Sequence, residues 1–235
     1  MASQTLSIVI PAFNEERYLG TLLERITQLD LSGVGLTKEI IVVDDGSTDG
    51  TVAIARGHDG VRVEVMERNA GKGTAIRRGI GLATGDFIII QDADLEYDPG
   101  DYVPMVEAML PTGTSAVYGS RYMSGWLRGK RPGQSWVAYL GGRTLSVVGL
   151  LATGRYLTDT VTALKLFRRE AIQSLQLETT GFETDHEITS RLLARGDTIL
   201  EVPIRYYPRS KAEGKKIGMR DWLKAVRTFW RYRKG

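Results

Sequence analysis

The chain lacks cysteine altogether and has no long hydrophobic run. With no Cys among its 235 residues, neither disulfides nor a thiolate metal site can hold the fold. The longest uncharged apolar stretch, residues 144–154, is about half of the roughly 20 residues that a membrane-spanning helix requires. A secretory signal would have a basic segment before its apolar run, and no basic segment precedes the short apolar run near the N-terminus. These absences predict a cytoplasmic protein, either soluble or peripheral on the cytoplasmic face of a membrane.

Acidic residues are scarce in the last part of the chain. Residues 205–235 contain eleven Lys or Arg but only Glu213 and Asp221 as acids. Because the whole chain has a net charge of +3, the preceding residues carry a net negative charge. A basic end of this kind suggests an anionic partner such as phosphate or a lipid surface. We expect no nucleic-acid partner, since no recognition motif accompanies the charge.

Short apolar runs alternate with helix-like segments over the first hundred residues. They lie at 6–10, 39–43, 61–66 and 87–90, a rhythm typical of a parallel sheet. Further strands are expected at 115–120, 163–167 and 198–204, and helices around 136–152, around 185–195 and from about 220. A chain of this length with 42% hydrophobic residues can bury one sizeable core, so we expect one globular domain.

Each of the first four runs ends in polar or turn residues. The loops read "PAFNEE", "DDGSTDG", "ERNAGKG" and "QDADLEYDP". In an open α/β sheet, ligands bind at the carboxyl ends of the strands, so these loops should share one edge.

Two carboxylates, Asp92 and Asp94, follow the fourth run. If strand geometry continues through both, their side chains point to the same face. Two like charges aimed at one spot call for a cation, and an oxygen-only ligand set suits Mg²⁺ or Mn²⁺. Alternatively, these acids form a solvated loop before a helix that starts near Pro99, and Asp98 is suited to cap that helix.

The other loops offer groups for a nucleotide. Asp44 and Asp45 follow the second run, and either could accept hydrogen bonds from a base or ribose, although residues 47–49 could simply begin a helix. In the third loop Gly71 and Gly73 flank Lys72 before a helix, where backbone N–H groups and a cation could face a phosphate. An ordinary turn would also explain that loop. In the first loop, residues 14–16 could serve only as a helix cap.

Taken in order, the four loops resemble the nucleotide-sugar half of the family 2 inverting glycosyltransferases. That resemblance implies the GT-A fold, a Rossmann-like α/β three-layer sandwich with a mostly parallel central sheet. The second half is similar to the dolichyl- or polyprenyl-phosphate hexosyltransferases, through "YGSRY", "LTDTVTALKLFRRE", "GFETDHEI" and "EVPIRYYPR" followed by "EGKKI". We therefore expect a catalytic domain over 1–217 and a basic amphipathic helix over 218–235.

The resemblance also implies roles for individual residues. The nucleotide-sugar site would comprise Pro11, Phe13, Glu15, Asp44, Asp45, Lys72, Asp92 and Ala93. The metal would be held by Asp94 with Asp92 and Glu96, and the catalytic group would include Asp92, Asp94, Arg209 and Lys216. Arg121 and, on a looser alignment, Arg143 would bind the acceptor phosphate. Two departures concern the acceptor loop: Ala163 stands where many relatives have glycine, and "EGKKI" replaces the commoner serine-lysine pair.

The implied reaction moves mannose or glucose from GDP-mannose or UDP-glucose to a polyprenyl phosphate, with Mg²⁺ or Mn²⁺. A phosphate acceptor needs arginines to hold it, whereas a hydroxyl acceptor needs a base. Asp185 and Glu187 are the base candidates, with His186 a weaker one. The alternatives are a transferase acting on a hydroxyl of a glycan or cell-wall precursor and an inactive nucleotide-binding module. Arginine most often pairs with surface acids, which would leave Arg121 without a role in binding.

The last helix carries an apolar stripe at helical spacing. Its members include Trp222, Leu223, Phe229 and Trp230, and basic residues occupy the remaining surface. Such a helix could lie on an anionic membrane. It could equally pack its aromatic residues on the core and show its charges to water.

Overall fold

A seven-stranded sheet forms the centre of the protein, whose computed structural model describes residues 4–123, 136–208 and 218–234. The strands lie in the order β3-β2-β1-β4-β6-β5-β7. Their bounds are β1 Gln4–Ala12, β2 Leu36–Asp44, β3 Val61–Val65, β4 Phe87–Ile90, β5 Ala116–Ser120, β6 Lys165–Arg168 and β7 Ile199–Pro203. Only the pairings of β6 with β4 and β5 are antiparallel. The seven predicted strands and the mostly parallel sheet are confirmed.

Eight α-helices surround the sheet in the described ranges. They are α1 Leu19–Gln28, α2 Thr51–Arg56, α3 Lys72–Leu82, α4 Tyr102–Met109, α5 Trp136–Thr153, α6 Arg169–Gln173, α7 Thr184–Ala194 and α8 Met219–Tyr232. The predicted helices around 136–152, around 185–195 and from 220 are confirmed. Asp98 accepts a hydrogen bond from the Gly100 N–H and caps a 3₁₀ turn that leads into α4, as predicted. None of the helices in these ranges combines the length and apolar character that crossing a bilayer requires.

Both faces of the sheet are apolar, which explains the continuous hydrophobic runs. Ile8 and Ile10 pack with residues of α1 and α4 on one face. Val9, between them, packs with residues of α3 and α7 on the other. All three side chains are fully buried, and burial of each stabilises the fold by about 1.5–3 kcal/mol. The result is the predicted three-layer sandwich.

The last helix packs on the body of the protein along one side only. α8 contacts α5 and α7. Phe229 is fully buried, its ring centroid is 4.9 Å from that of His186, and it packs against Gly149. Leu223 and Trp230 remain 57% and 44% exposed. Packing on the core therefore accounts for part of the predicted stripe, and the division of the chain at residue 217 stays a prediction.

His186 should make the stability of the fold depend on pH. Burial lowers its pKa to about 4, from an ordinary value of 6.5. Between these values the unfolded chain takes up a proton that the folded chain does not, so stability falls as the pH decreases from 6.5 to 4. The expected loss is about 3 kcal/mol. Urea unfolding across this range should show a flatter pH dependence for His186→Gln than for the wild type. Equal slopes would contradict this assignment.

Candidate functional site

The loops after the first two strands are joined by hydrogen bonds. The backbone N–H of Asn14 donates to Ser47 Oγ, and Asn14 Oδ1 accepts from the Thr48 N–H, each at 2.9 Å. Glu16 Oε2 accepts from the Gly50 N–H at 2.8 Å. Because β1 to β4 are mutually parallel, the four predicted loops share one edge of the sheet.

Asp44 and Asp45 have different roles at this edge. Both carboxylate oxygens of Asp45 are used, since they accept from the N–H groups of Ala70 and Gly71 at 2.8 and 2.9 Å. Asp45 therefore holds the third loop in place. Asp44 is fully buried and its Oδ2 accepts from the Ser47 N–H, but within the described residues its Oδ1 has no hydrogen-bond partner. A buried oxygen without a donor is costly, so Asp44 is suited to accept a hydrogen bond from a ligand.

The remaining residues predicted at the donor site lie along the same edge. Pro11 lies near the carboxyl end of β1 and pairs with Val43 of β2. The Glu15 N–H donates to Thr51 Oγ1 at 2.9 Å. Ala93, three residues after the end of β4, is buried. Phe13 follows β1 immediately and is half-buried. The structure thus brings the predicted donor-site residues to one region, and their role in binding stays a prediction.

The third loop is packed against a segment from the second half of the chain. The Thr180 carbonyl accepts from the Gly73 N–H at 2.7 Å. A Cβ on Gly73 would lie 1.9 Å from Thr184 Oγ1, and one on Gly71 would lie 2.3 Å from the Thr180 oxygen. Gly71 also has a backbone φ of 97°, which residues with a side chain rarely adopt. This close approach is why the loop contains two glycines.

Substitution of Gly73 should show the effect of this contact on stability separately from the effect of helix propensity. Gly73→Ala is expected to lower the free energy of unfolding by about 1–3 kcal/mol, because the added methyl overlaps Thr184 and backbone of the adjoining segment. Gly81→Ala, also in α3, meets nothing within 4 Å and should be stabilising by about 0.5–1 kcal/mol. Urea unfolding measures both. Equal effects of the two changes would show that the contact does not matter.

Lys72, between the two glycines, forms a partly buried ion pair. Its Nζ lies 2.6 Å from Asp92 Oδ1 and 5.6 Å from the centroid of the Phe182 ring. Burial alone would lower the pKa of Lys72, but Asp92, Asp185 and Asp94 together raise it above its ordinary value. The predicted cation therefore stays charged beside the loop that follows β4.

The loop after β4 differs from the predicted geometry. β4 ends at Ile90, and residues 93 and 94 form a turn that precedes a positive φ of 59° at Leu95, so strand geometry does not continue through Asp92 and Asp94. The argument that strand alternation aims both carboxylates at one spot is therefore wrong. Asp94 Oδ1 accepts from the Glu96 N–H at 3.1 Å. The turn, rather than the strand, orients the carboxylate of Asp94.

The predicted metal ligands do not form a complete cage by themselves. Glu96 Oε2 accepts from the Tyr206 hydroxyl at 3.0 Å, while Asp92 pairs with Lys72. Over 4–123, 136–208 and 218–234, no three His, Cys, Asp or Glu side chains converge closely enough to hold a metal ion. The donor atoms near Asp94 are carboxylate oxygens, which fit a Mg²⁺ or Mn²⁺ held by one or two carboxylates and completed by substrate phosphates.

Arg121, at the end of β5, pairs with a buried acid. Its Nε and Nη2 donate to the two carboxylate oxygens of Asp159 at 2.6 and 2.7 Å, and Asp159 is only 1% exposed. Burial alone would lower the pKa of Arg121, but Asp159 raises it. Its guanidinium also lies 5.0 and 5.4 Å from the ring centroids of Tyr206 and Tyr122. Arg121 is therefore ion-paired with a buried acid and not with a surface acid, and its role in binding phosphate stays a prediction.

Arg143, on α5, reaches the same place. Its Nη1 donates to the Thr158 carbonyl and its Nη2 to the Tyr156 hydroxyl, each at 3.0 Å. Its guanidinium lies 5.4 Å from the centroid of the Tyr122 ring, as does that of Arg121. The two predicted phosphate-binding arginines are thus brought together around one tyrosine. Arg209 and Lys216 lie outside the described residues.

The three residues proposed as bases are all buried and engaged or neutral. Lys165 Nζ, fully buried in β6, lies 2.6 Å from Asp185 Oδ1. Burial would raise the pKa of Asp185, but Lys165 and Lys72 hold it below its ordinary value. Glu187 accepts from the N–H groups of residues 178 and 179 and from Arg191, so it holds the segment before α7. Lys165 was not among the predicted residues, and its signal in the sequence is a single charge inside the apolar run "ALKLF".

The chain is similar to known proteins in sequence and in fold. Residues 7–176 match the model of a family described as glycosyl transferase family 2. The chain is 32% identical over 225 residues to a dolichol-phosphate mannosyltransferase of Pyrococcus furiosus, covering 91% of this chain and 59% of that protein. It is 35% identical over 187 residues to a dodecaprenyl-phosphate galacturonate synthase of Rhizobium johnstonii, covering 74% and 51%. The chain thus spans between half and three fifths of the length of these two relatives.

A solved structure supports the architecture. The fold superimposes on glucosyl-3-phosphoglycerate synthase from Mycobacterium tuberculosis, crystallised with Mn²⁺, UDP and glucosyl-3-phosphoglycerate, with a TM-score of 0.70. The two sequences are 26% identical, and the match covers 90% of this chain and 75% of the other. The sheet with its helical layers therefore has the arrangement found in a protein that binds a nucleotide and a divalent metal.

Proposed function

The chain belongs to glycosyltransferase family 2 and has the GT-A fold, and from this premise we propose that it transfers a hexose, mannose or glucose, from a nucleoside diphosphate sugar to a polyprenyl phosphate. The names of the two relatives, a dolichol-phosphate mannosyltransferase and a dodecaprenyl-phosphate galacturonate synthase, support this class of acceptor. The proposed location is the cytoplasm, with peripheral contact on the cytoplasmic face of the membrane.

The observation that carries the choice of acceptor is that Asp185 and Glu187, the two candidate bases, are buried and already engaged. Asp185 pairs with Lys165, and Glu187 is fully buried among backbone donors. A hydroxyl acceptor needs a group that removes its proton in the transition state. A phosphate monoester has a second pKa of about 6 and is already largely ionised at neutral pH. These contacts therefore favour a phosphate acceptor over a hydroxyl of a glycan or cell-wall precursor.

The nucleoside would bind over the joined first and second loops. The unpaired Oδ1 of Asp44 would accept from the base or ribose, with Phe13 and Glu15 beside it. Lys72 and the N–H groups at the start of α3 would face the diphosphate, where a helix N-terminus favours negative charge. In this arrangement the diphosphate would compete with Asp92 for the ammonium of Lys72.

Divalent metal dependence belongs to the same proposal. Asp94 would hold Mg²⁺ or Mn²⁺, with Asp92 and Glu96 as further oxygen ligands. When bound, such an ion neutralises the charge that develops on the leaving diphosphate. Lys72 contributes to the same neutralisation from the opposite loop, because its pKa is raised and it remains an ammonium.

The acceptor phosphate would lie beside Tyr122, whose ring centroid is 5.4 Å from each of the guanidinium groups of Arg121 and Arg143. Arginine holds phosphate through paired N–H donors. Asp159 fixes the plane of the Arg121 guanidinium with two hydrogen bonds. The phosphate oxygen would then attack the anomeric carbon as the nucleoside diphosphate leaves, which inverts the configuration at that carbon.

A transfer assay tests the proposal. GDP-mannose and UDP-glucose, each radiolabelled in the sugar, are offered separately with Mn²⁺ or Mg²⁺ to a polyprenyl phosphate, with the matching polyprenol as control acceptor. We expect label in the organic phase only with the phosphate, and with one of the donors. Label on the polyprenol, or on an added glycan hydroxyl, would show a hydroxyl-directed transferase. Nucleotide and metal binding without any transfer would show an inactive binding module.

A further inference from the structure

One side of α5 exposes large apolar side chains to solvent. Val137 is 79% exposed and Leu151 is 68% exposed. The exposed residues recur at intervals that place them on one stripe of the helix, namely Trp136, Val137, Leu140, Thr144, Val147, Leu150 and Leu151. The opposite side of the same helix is buried, as at Leu145. α5 therefore has an apolar stripe that the described protein does not cover.

The exposed side of α8 continues this stripe. The indole N–H of Trp222 donates to Thr144 Oγ1, in the middle of the α5 stripe, at 3.1 Å. Next to Trp222 on α8, Leu223 is 57% exposed, and Met219 and Trp230 lie at helical spacing from it with 70% and 44% exposed. The α5 stripe with these three residues of α8 is called the α5–α8 face below.

Basic side chains border the α5–α8 face. The exposed basic residues of α8 and of the two residues that follow it are Arg220, Lys224, Arg227, Arg231, Arg233 and Lys234. The only acid on that helix, Asp221, lies in its first turn and accepts a hydrogen bond from the Gly218 N–H. An apolar stripe next to clustered cations is the arrangement by which amphipathic helices bind anionic bilayers.

A second copy of the chain is a poorer occupant of the same face. A two-fold symmetric contact would bring the basic side of α8 close to its own equivalent, and like charges brought together oppose association. An anionic bilayer instead accepts the apolar residues below its headgroups and the cations at its surface. The charge pattern therefore favours an anionic lipid surface over a second copy of the chain.

We infer that the α5–α8 face docks on the surface of a bilayer containing anionic lipids. The direction from which the acceptor would arrive rests on the proposed function. Arg143 is three residues after Leu140 and four before Val147, so it lies at the edge of the face. Docking through this face would set Arg143 and Tyr122 at headgroup depth. A lipid phosphate could then reach them without leaving the membrane.

Vesicle co-sedimentation of the full chain, without donor or metal, tests the inference. Vesicles of phosphatidylcholine alone are compared with vesicles containing phosphatidylglycerol. We expect binding to the anionic vesicles and a loss of at least about ten-fold in Val137→Glu/Leu151→Glu. Lys224→Gln/Arg227→Gln should weaken binding to anionic vesicles by about five-fold per charge removed and leave binding to neutral vesicles unchanged.

Leu110→Glu is the matched control, because Leu110 is a 39% exposed leucine that follows α4, away from the α5–α8 face. It should bind vesicles as the wild type does, and thermal unfolding should show that all variants are folded. No binding by the folded wild type, or equal losses in the control and in Val137→Glu/Leu151→Glu, would overturn the inference. A dimer in light scattering that bound no vesicles would overturn it in favour of a second copy.

The transfer assay with a short-chain, water-soluble polyprenyl phosphate separates this inference from the proposed function. Val137→Glu/Leu151→Glu should transfer sugar to the soluble acceptor at the wild-type rate while losing transfer to acceptor embedded in vesicles. Vesicle binding without transfer to any acceptor would refute the proposed function and support the docking surface. Transfer to embedded acceptor at the same rate by wild type and variant would refute the docking surface and support the proposed function.

Discussion

Asp94→Asn is expected to lower the rate of hexose transfer by about 10²–10³-fold, the range found when one stabiliser of transition-state charge is removed. The amide can still accept the hydrogen bond from the Glu96 N–H, so the turn after β4 should keep its shape. What is lost is the negative charge that would hold Mg²⁺ or Mn²⁺ next to the diphosphate. The measurement is the transfer rate at increasing metal concentration, and the variant should require more metal for its residual activity.

Asp98→Asn is the control for this experiment because it changes the same loop by the same chemistry. Asparagine caps helices as well as aspartate does, and Asp98 otherwise pairs only with the half-exposed Arg205 in the contacts seen. Its transfer rate should stay within about two-fold of the wild type, as is usual for surface substitutions. A similar loss in both variants would assign the effect to the loop and not to a metal at Asp94.

Lys165→Met should lower the free energy of unfolding by about 3–5 kcal/mol, the cost of removing one partner from a buried ion pair. Lys165 is fully buried and its ammonium lies 2.6 Å from Asp185. The substitution leaves the carboxylate of Asp185 with Lys72 as its remaining nearby cation. Urea unfolding at neutral pH, with circular dichroism as the signal, measures the loss.

Two further variants show whether burial is the cause. Arg78→Met breaks an ion pair with Glu64 in which Arg78 is 55% exposed, and exposed pairs contribute at most about 1 kcal/mol. Lys165→Met/Asp185→Leu replaces the buried pair by apolar side chains and should recover most of the stability, since such replacements are often neutral. A loss of under about 1 kcal/mol in Lys165→Met would mean that the pair behaves like a surface pair.

The strands could be predicted because each is buried on both faces and is therefore apolar throughout. β1 and β4 show this best, since Ile8, Val9 and Ile90 are all fully buried. Periodicity also fixed the edge at which the four loops meet, because parallel strands place their carboxyl ends together. Periodicity did not predict the chain beyond β4, which ends at Ile90, because residues 93 and 94 form a turn and Leu95 has a positive φ.

The pairing of charged side chains could not be predicted in the same way. The family resemblance predicts Asp45 at the nucleotide, yet both of its carboxylate oxygens accept hydrogen bonds from the neighbouring loop. The sequence does not show which residues pair with Asp159 and Lys165, because their partners Arg121 and Asp185 are distant in sequence. A lone charge in an apolar run indicates that a buried partner exists, but only the packed chain shows which residue it is.

The contact between Gly73 and Thr180 has a consequence for how the chain becomes functional during synthesis. The carbonyl that the third loop packs against belongs to residue 180, whereas β6 ends at Arg168. A growing chain from which β1 to β6 have emerged therefore still lacks this carbonyl. Contacts between distant segments form only after the intervening loop has closed. We therefore expect the loop proposed to face the diphosphate to complete its packing after the strands that present it.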